Sequence, residues 1–496
     1  MRYAGILLHI ASLPNEYGIG TLGKESYQFV DFLKSANQKF WQVLPIGPTS
    51  YGDSPYQSFS VFAGNPYFID FDLLKDEGLL QEEDYFHLKT NSSRIDYHYL
   101  FSTRFNVLYK AYEKFLEYGD SLSFNQFKED NKDWLDDYAL YMTIKETFNY
   151  QSWQDWPIEF KIRNSLEVFQ FEKNNKKRID YWRFIQFLFF KQWHNLKNYA
   201  NSNQIEIIGD MPIYTSLDSA DCWANPHLWQ LDENFVPEAV AGVPPDLFSK
   251  TGQLWGNPLY DFHQMEKDNY SWWKRRIKHS LTLFDVIRID HFRGFESYYS
   301  IPYSNQTAQN GVWVKGPGIK LFSEIKRELG DVRIIAEDLG YITDDVKTLL
   351  KQTTFPGMKV LQFGFDCYGD SEHAPHNLEK NYVIYPGTHD NPPNKAWYES
   401  LNPADKKYVN MYLCINDNDN ICEVMIKECL KSVCKWAIIP IQDYLELGIE
   451  SRINTPSTSS GNWQFRLKKE DLSVTLANKI KQWTNLYRRD LVHNFY

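Results

Sequence analysis

Three acidic residues follow three short hydrophobic segments in the middle of the chain, and together they indicate chemistry on glycosidic bonds. Asp290 follows DVIRI (285–289), Glu337 follows RIIA (333–336), and Asp390 lies within YPGTHDN (385–391). Carboxylates at the ends of different buried strands can converge on one substrate. A single acid in such a position is most often an ion-pair or capping group, so the prediction depends on all three occurring in one chain.

The strand geometry pairs the first two acids with arginines. Side chains alternate along a strand, so Arg288 shares a face with Asp290 while the two isoleucines beside them take the other face. The same alternation groups Arg333 with Glu337. A nearby guanidinium favours the ionised form of a carboxyl group, so we expect Arg288 to keep Asp290 charged.

The elements that must position these acids are short hydrophobic runs, most of them separated by helical patterns. The runs cover residues 5–9, 40–46, 205–213, 285–290, 333–338, 358–363, 382–388 and 435–441. Buried strands that alternate with helices in this way predict the α/β class and, within it, a (β/α)8 or TIM barrel. Active sites of such barrels lie at the C-terminal ends of the strands, which is where the three acids stand.

Two connections between these runs are too long for simple crossovers. Residues 66–200 carry helical patterns, as in FSTRFNVLYKAYEKFLEY (101–118), and predict a helical insertion subdomain after the second strand. Residues 214–284 begin with little periodicity and many Gly, Pro, Trp and Asn residues, which predicts a lid subdomain inserted after the third strand. We therefore expect residues 1–496 to form a single catalytic barrel domain with these two insertions.

Composition and charge argue against several classes of protein. The chain has 496 residues, 43% of them hydrophobic and 24% charged, with a net charge of −11 and an isoelectric point near 5.6. It has no Lys/Arg-rich run, so nucleic acid and anionic membrane surfaces are poor partners. No hydrophobic stretch is long enough to span a bilayer, and AGILLHIASL (4–13) is interpreted as the first strand rather than a signal segment. Six cysteines without CxxC spacing indicate reduced thiols in a cytoplasmic enzyme and no cysteine metal site.

Aromatic residues make up 17% of the chain and support a sugar ligand only weakly. Their faces stack well on the apolar faces of pyranose rings, but most of them must belong to the core. Those beside Gly and Asn residues in loops, namely Tyr51, Tyr56, Trp223 and Trp255, are the better candidates for contact with a sugar.

Several longer segments match a family of enzymes. They are LLHIASLPNEYGIGTLG (7–23), LPIGPTSYGDSPYQSFSVFAGNP (44–66), GVPPDLFSKTGQLWGNPLY (242–260), VIRIDHFRGF (286–295), IIAEDLG (334–340), YPGTHDN (385–391) and RINTPSTSSGNWQFRL (452–467). From one end to the other, the chain resembles the 4-α-glucanotransferases, also called amylomaltases or disproportionating enzymes, which are related to the α-amylases. The resemblance implies a barrel that moves α-1,4-glucan segments from a donor to the 4-hydroxyl of glucose or of a maltooligosaccharide acceptor. It also implies a retaining double displacement through a covalent glycosyl-enzyme, and we predict no cofactor and no metal ion.

The same resemblance implies roles for individual residues. Asp290 would be the nucleophile, Glu337 the general acid/base, and Asp390 a third carboxylate that holds sugar hydroxyls and stabilises the transition state. Glu337 must then hold a proton near neutral pH, and we expect repulsion from Asp390 to raise its pKa. The other implied positions are His291 and His389 as ligands of sugar hydroxyls, Asp210 as the residue that orients Arg288, Tyr56 as a stacking partner of the donor sugar, and Asp246, Trp255 and Asn257 as lining of the lid.

One position departs from the family pattern. Family members usually continue the HDN segment with Asp-Thr, whereas this chain has Pro392 and Pro393. Two prolines fix φ and remove two backbone donors, so the loop after Asp390 is expected to differ on the acceptor side of the site.

Three other functions are compatible with parts of the sequence. An α-1,4-glucan hydrolase of the amylase type needs the same acids and is the nearest alternative, because water can take the place of the sugar acceptor. A metal-dependent barrel hydrolase would use histidines at strand ends, but His9 has no His-x-His partner and no cysteine cluster compensates. A glucan-binding protein without catalysis would need the aromatic residues but not the three acids.

Overall fold

Parallel strands form a nearly closed barrel in the computed structural model, which describes residues 1–245 and 249–490, apart from the side chain of Tyr51. The strands in this part of the chain are β1 (Tyr3–Leu7), β2 (Phe40–Gln42), β3 (Glu206–Met211), β4 (Ala239–Val243), β5 (Gln253–Pro258), β6 (Val286–Ile289), β7 (Ser297–Pro302), β8 (Val312–Lys315), β9 (Ile334–Ala336), β10 (Gly357–Val360), β11 (Tyr382–Tyr385) and β12 (Trp436–Pro440). The barrel sheet has the order β10-β11-β12-β1-β2-β3-β6-β9. The amide of Ala336 donates to the carbonyl of Pro356 at 2.9 Å, which brings β9 beside β10 and nearly closes the ring.

These barrel strands confirm the predicted fold class. Each predicted hydrophobic run overlaps one of the parallel strands, and residues such as Ile207, Ile287 and Ile438 are fully buried, as expected for strands covered on both faces. Most of the strands end earlier than the sequence predicts. The run 382–388, for example, stops pairing after Tyr385 because Pro386 has no amide hydrogen to donate.

Helices occupy the connections between the strands. In the first half of the chain they are α1 (Lys24–Ser35), α2 (Phe71–Asp76), α3 (Tyr97–Tyr118), α4 (Ser121–Asp130), α5 (Lys132–Thr147), α6 (Ile158–Lys161), α7 (Leu166–Asn174), α8 (Lys176–Ser202) and α9 (Ala220–Ala224). In the second half they are α10 (Phe262–Glu266), α11 (Ser271–Leu283), α12 (Ile319–Leu329), α13 (Asp344–Thr353), α14 (Asn394–Ser400), α15 (Pro403–Tyr412), α16 (Ile421–Lys431), α17 (Ile441–Tyr444) and α18 (Val474–Leu486). Helices α2 to α8 all lie between β2 and β3, and α5 packs against both α8 and α9. No helix within the described ranges is long and apolar enough to cross a membrane.

A second, antiparallel sheet stands beside the barrel and was not predicted. Its strand order is β5-β4-β7-β8, so it joins a hairpin from the connection after β3 to a hairpin from the connection after β6. Gly242 in β4 allows close approach of the neighbouring strand, because a Cβ there would lie 2.2 Å from the carbonyl oxygen of Gln253. The predicted boundaries of the two insertions stay predictions, but the region 214–284 shares this sheet with residues of the next connection.

Candidate active site

A buried arginine links two carboxylates at the C-terminal ends of neighbouring barrel strands. The guanidinium of Arg288 donates from Nη1 to both carboxylate oxygens of Asp210 at 2.6 and 2.7 Å, and from Nη2 to Oδ1 of Asp290 at 3.0 Å. β3 and β6 pair in register with Asp210 opposite Arg288, which sets this contact directly. The structure therefore places Asp210 where the sequence analysis expected a residue that orients Arg288.

Asp290 keeps about 30% of its side chain exposed, so a substrate can reach it. Burial of the carboxyl group raises its pKa to about 6, and Asp210 and Asp390 add to the rise while Arg288 and His389 oppose it. Arg288 thus lowers the pKa of Asp290, as the sequence analysis expected, but burial raises this pKa by more. Because the pKa stays below 7, the carboxylate form of Asp290 predominates at neutral pH.

Glu337 lies at the end of β9, beside Asp290, and its carboxylate is held by two backbone amides. His291 N–H donates to Oε2 at 2.6 Å and Leu339 N–H donates to Oε1 at 3.0 Å. The first contact depends on His291 having a positive φ of 52°, a backbone conformation that few residues other than glycine adopt. A backbone contact fixes the position of Glu337 relative to β6, because the amide of Glu337 donates to the carbonyl of Ile289.

The environment of Glu337 favours its protonated form. Burial raises the pKa of Glu337 to about 8, and repulsion from Asp290 is the next largest cause, while Arg288 and the two amides oppose the rise. The sequence analysis assigned the repulsion to Asp390, and this was wrong. The carboxylate of Asp390 is turned toward Asn454 and His389 instead. The surroundings thus favour a protonated Glu337 beside an ionised Asp290, the combination that a retaining mechanism requires.

Asp390 is positioned by a segment for which the sequence analysis predicted no role. Asn454 Nδ2 donates to Oδ1 of Asp390 at 2.6 Å, and Arg452 donates to the backbone oxygen of Asp390 at 2.6 Å. Nε2 of His389 lies 3.4 Å from the same Oδ1. Both residues belong to the segment 452–467, which carried part of the family resemblance, but the resemblance gave no indication of their contact with Asp390.

Aromatic side chains flank the acids on two sides. Tyr56 donates its hydroxyl to Asp210 at 2.7 Å, and its ring stacks on His389 with centroids 5.3 Å apart. The sequence analysis missed Trp463. Its ring centroid lies 5.7 Å from that of Tyr56 and 5.8 Å from that of His389. On the other side, Trp255 meets the ring of His291 edge-on at 4.8 Å.

Three other predicted positions have different outcomes. Asn257 is buried, where it donates to the carbonyl of Thr215 at 3.0 Å and accepts from Gln57 at 3.1 Å. Asp246 lies outside the described residues. Trp223 was predicted as a sugar contact, and this was wrong, because it is fully buried and donates to the carbonyl of Phe160.

The two prolines after Asp390 lie in the short connection between the acid and α14. Gln362 donates to the carbonyl of Pro392 at 3.0 Å, and Pro393 directly precedes the first residue of α14. Among residues 1–245 and 249–490, the side chains close enough together to share a metal ion are Asp366, Cys367 and Asp405, which lie outside the group of acids described above. We assign no metal ion to Asp366, Cys367 and Asp405, because exposed acidic groups are common without one.

The fold and the site define a barrel enzyme of the glycosidase type. Its acids stand at the C-terminal ends of the fourth, fifth and seventh barrel strands, and their protonation states suit attack at an anomeric carbon. A family model described as 4-alpha-glucanotransferase, glycosyl hydrolase family 77, matches residues 8–473. The chain belongs to this 4-alpha-glucanotransferase family.

Individual relatives agree with this assignment. The chain is 49% identical to a 4-alpha-glucanotransferase of Clostridium butyricum over 486 residues, which is 97% of this chain and all of the relative. It is 46% identical to a 4-alpha-glucanotransferase of Streptococcus pneumoniae over 492 residues, 98% of this chain and 97% of the relative. The solved structure of an amylomaltase from Streptococcus agalactiae in complex with acarbose has a TM-score of 0.95 and 43% identity, covering 99% of this chain and 100% of that chain.

Proposed function

We propose that this chain transfers α-1,4-glucan segments from a donor chain to the 4-hydroxyl of glucose or of a maltooligosaccharide. The observation that carries the proposal is the pair of acids at the ends of neighbouring strands, Asp290 after β6 and Glu337 after β9, in surroundings that favour the protonated form of Glu337. The names of the relatives support the same activity. Free thiols at all six cysteines, each within the described ranges, are compatible with action in the reducing cytoplasm.

The first half of the reaction forms a covalent intermediate. A carboxylate oxygen of Asp290 attacks the anomeric carbon of the donor, and the glycosidic bond to the leaving chain breaks. Glu337 gives its proton to the leaving oxygen, so the released chain carries a new 4-hydroxyl group. The pKa of about 8 suits this role, because the acid is protonated at neutral pH and still able to release its proton.

The second half returns both acids to their starting state. Glu337, now ionised, takes the proton from the 4-hydroxyl of an acceptor, whose oxygen attacks the anomeric carbon. The ester bond to Asp290 breaks, and two displacements restore the α configuration. Asp390 and His389 hold hydroxyl groups of the transferred sugar while Tyr56 contacts its ring, which supplies binding energy that positions the anomeric carbon.

A transferase must also keep water from the intermediate, and the hairpin of β4 and β5 suits this task. Trp255 in β5 packs against His291, which directly follows Asp290 in the chain. The connection between the two strands begins with Pro244 and Pro245, which restrict its backbone. Shielding of the intermediate would favour an oriented sugar hydroxyl over water, which is present at about 55 M.

Incubation with maltotriose alone tests the proposed reaction. We expect glucose and a ladder of longer maltooligosaccharides, with little gain in reducing ends, because each transfer breaks one glycosidic bond and makes another. Chromatography gives the ladder, and a reducing-sugar assay gives the extent of hydrolysis. If reducing ends rise in step with donor consumption, the chain is an amylase-type hydrolase and the proposal fails.

A shortened lid tests the exclusion of water. Replacing Pro244, Pro245 and the following residues 246–248 by a Gly/Ser linker is expected to raise the hydrolysed fraction of maltotriose severalfold, because the intermediate becomes more accessible. The same linker in place of residues 369–373, in the loop between β10 and β11, is the matched control. An unchanged ratio of transfer to hydrolysis in the lid variant would show that the lid does not select the acceptor.

A further inference from the structure

Two exposed aromatic residues lie beside the active site and take no part in the reaction described above. Trp313 in β8 is 37% exposed, and Tyr341, four residues after Glu337, is 70% exposed. Single exposed aromatic residues are common on protein surfaces and need no explanation. These two differ because one buried residue holds both of them.

That residue is Arg293, which follows Asp290 by three positions. The carbon at the centre of its guanidinium lies 3.6 Å from the ring centroid of Trp313, and 5.9 Å from that of Tyr341. Its Nη1 donates to the backbone oxygen of Tyr341, and its Nη2 donates to Ser297 at 3.0 Å. A planar guanidinium stacked on an indole fixes the ring in place, so little conformational entropy would be lost when a ligand covers the outer side.

A line of contacts connects the two aromatic residues to the active site. Trp255 contacts His291, and Arg293 follows His291 by two positions, in a turn where the amide of Gly294 donates to the carbonyl of His291 at 3.0 Å. From Arg293 the line reaches Trp313 and Tyr341. His291, at the start of this line, also donates its backbone amide to the carboxyl group of Glu337. The other aromatic group, around Tyr56, contacts Asp210 and His389 instead.

We propose that Trp313 and Tyr341 form a binding site for the acceptor chain, beyond the glucosyl unit that receives the transferred segment. This inference rests on the proposed transfer function. Glu337 serves the leaving and the attacking oxygen, so the loop that follows it lies toward the chain that departs and the chain that arrives. The aromatic faces would stack on glucosyl rings of a long acceptor, whereas free glucose is too short to reach them.

Competition between two acceptors tests this site. Isotopically labelled α-maltosyl fluoride serves as the donor, and glucose and maltotetraose are present together. Mass spectrometry of early products compares labelled maltohexaose with labelled maltotriose. We expect Trp313→Ala and Tyr341→Ala each to lower the ratio of hexaose to triose about fivefold, the effect of losing one stacking contact of roughly 1 kcal/mol.

Two control variants and two contradicting outcomes complete the design. Trp313→Phe keeps an aromatic face and should retain most of the ratio, which separates lost stacking from lost folding. Tyr118→Ala removes an aromatic residue of 79% exposure at the end of α3 and should leave the ratio unchanged. A ratio unaffected in either Trp313→Ala or Tyr341→Ala would overturn the two-residue site. Absence of any labelled transfer product with the unmodified enzyme would instead overturn the proposed function.

Discussion

Replacing Asp290 by Asn is expected to lower the rate of transfer by at least about 10³-fold, because an amide cannot form the ester with the anomeric carbon. The fold should remain, since Asn has nearly the same size and its amide oxygen can still accept from Nη2 of Arg288. Glucan binding should remain close to that of the unmodified enzyme for the same reason. Product chromatography measures the rate, and calorimetry with maltotetraose measures the binding.

Asp285→Asn is the matched control for this variant. Asp285 directly precedes β6, at the opposite end of the strand from Asp290, and it accepts from the amide of Ile207 at 2.8 Å. In a barrel of this kind the N-terminal ends of the strands serve stability, so this change should affect the unfolding temperature more than the rate. An equal loss of rate in both variants would show that disturbance of β6, rather than loss of the Asp290 carboxylate, lowers the rate of transfer. Appreciable transfer by Asp290→Asn would reject Asp290 as the nucleophile.

The barrel could be predicted because its strands are marked locally. Each is a short run of hydrophobic residues between helical patterns, and β12, WAIIP, is buried at every position. The strands of the antiparallel sheet do not form such continuous hydrophobic runs. In β8, VWVK, three of the four side chains are exposed, and β5, QLWGNP, alternates imperfectly and contains a glycine with positive φ. These strands form because β4 and β7 bring them together across more than one connection, and that pairing is not readable from any one segment.

The acids of the site could be predicted for the same local reason, but their surroundings could not. Asp290 and Glu337 each follow a recognisable strand, so their meeting at one end of the barrel follows from the fold. The contact of Asn454 with Asp390 joins residues 64 positions apart, and neither lies in a regular element. Which neighbouring carboxylate raises the pKa of Glu337 depends on the side-chain orientation of each acid. The sequence does not indicate that the carboxylate of Asp390 points toward Asn454.

The acid and base roles of Glu337 lead to the second large effect. Glu337→Gln is expected to lower transfer from natural glucans by about 10²- to 10⁴-fold, because the leaving oxygen receives no proton and the acceptor loses its base. The amides of His291 and Leu339 donate to different oxygens of Glu337, so the single carbonyl oxygen of Gln can accept from only one of them. A small local adjustment of the loop is therefore expected in this variant. A donor with fluoride as the leaving group needs no proton and should still react.

The pH dependence should separate the two acids. In the unmodified enzyme, Asp290 must be ionised and Glu337 protonated for the first half-reaction. Its rate should therefore fall below a pH of about 6 and above a pH of about 8, with the two limits belonging to the coupled pair. Gln does not titrate, so Glu337→Gln with a glycosyl fluoride should lose the alkaline decline and keep the acidic one. Persistence of the alkaline decline in this variant would assign that limit to another group.

The same variant should trap the intermediate. Once the fluoride has left, the ester on Asp290 waits for an acceptor whose hydroxyl no base can deprotonate, so the covalent glycosyl-enzyme should accumulate. Mass spectrometry of the digested protein would find the added sugar on the peptide that contains Asp290. Asp290→Asn combined with Glu337→Gln is the control and should carry no label. A label on any other residue would overturn the nucleophile assignment, and release of fluoride without any label would mean that water or an acceptor attacks the donor directly, in a single displacement.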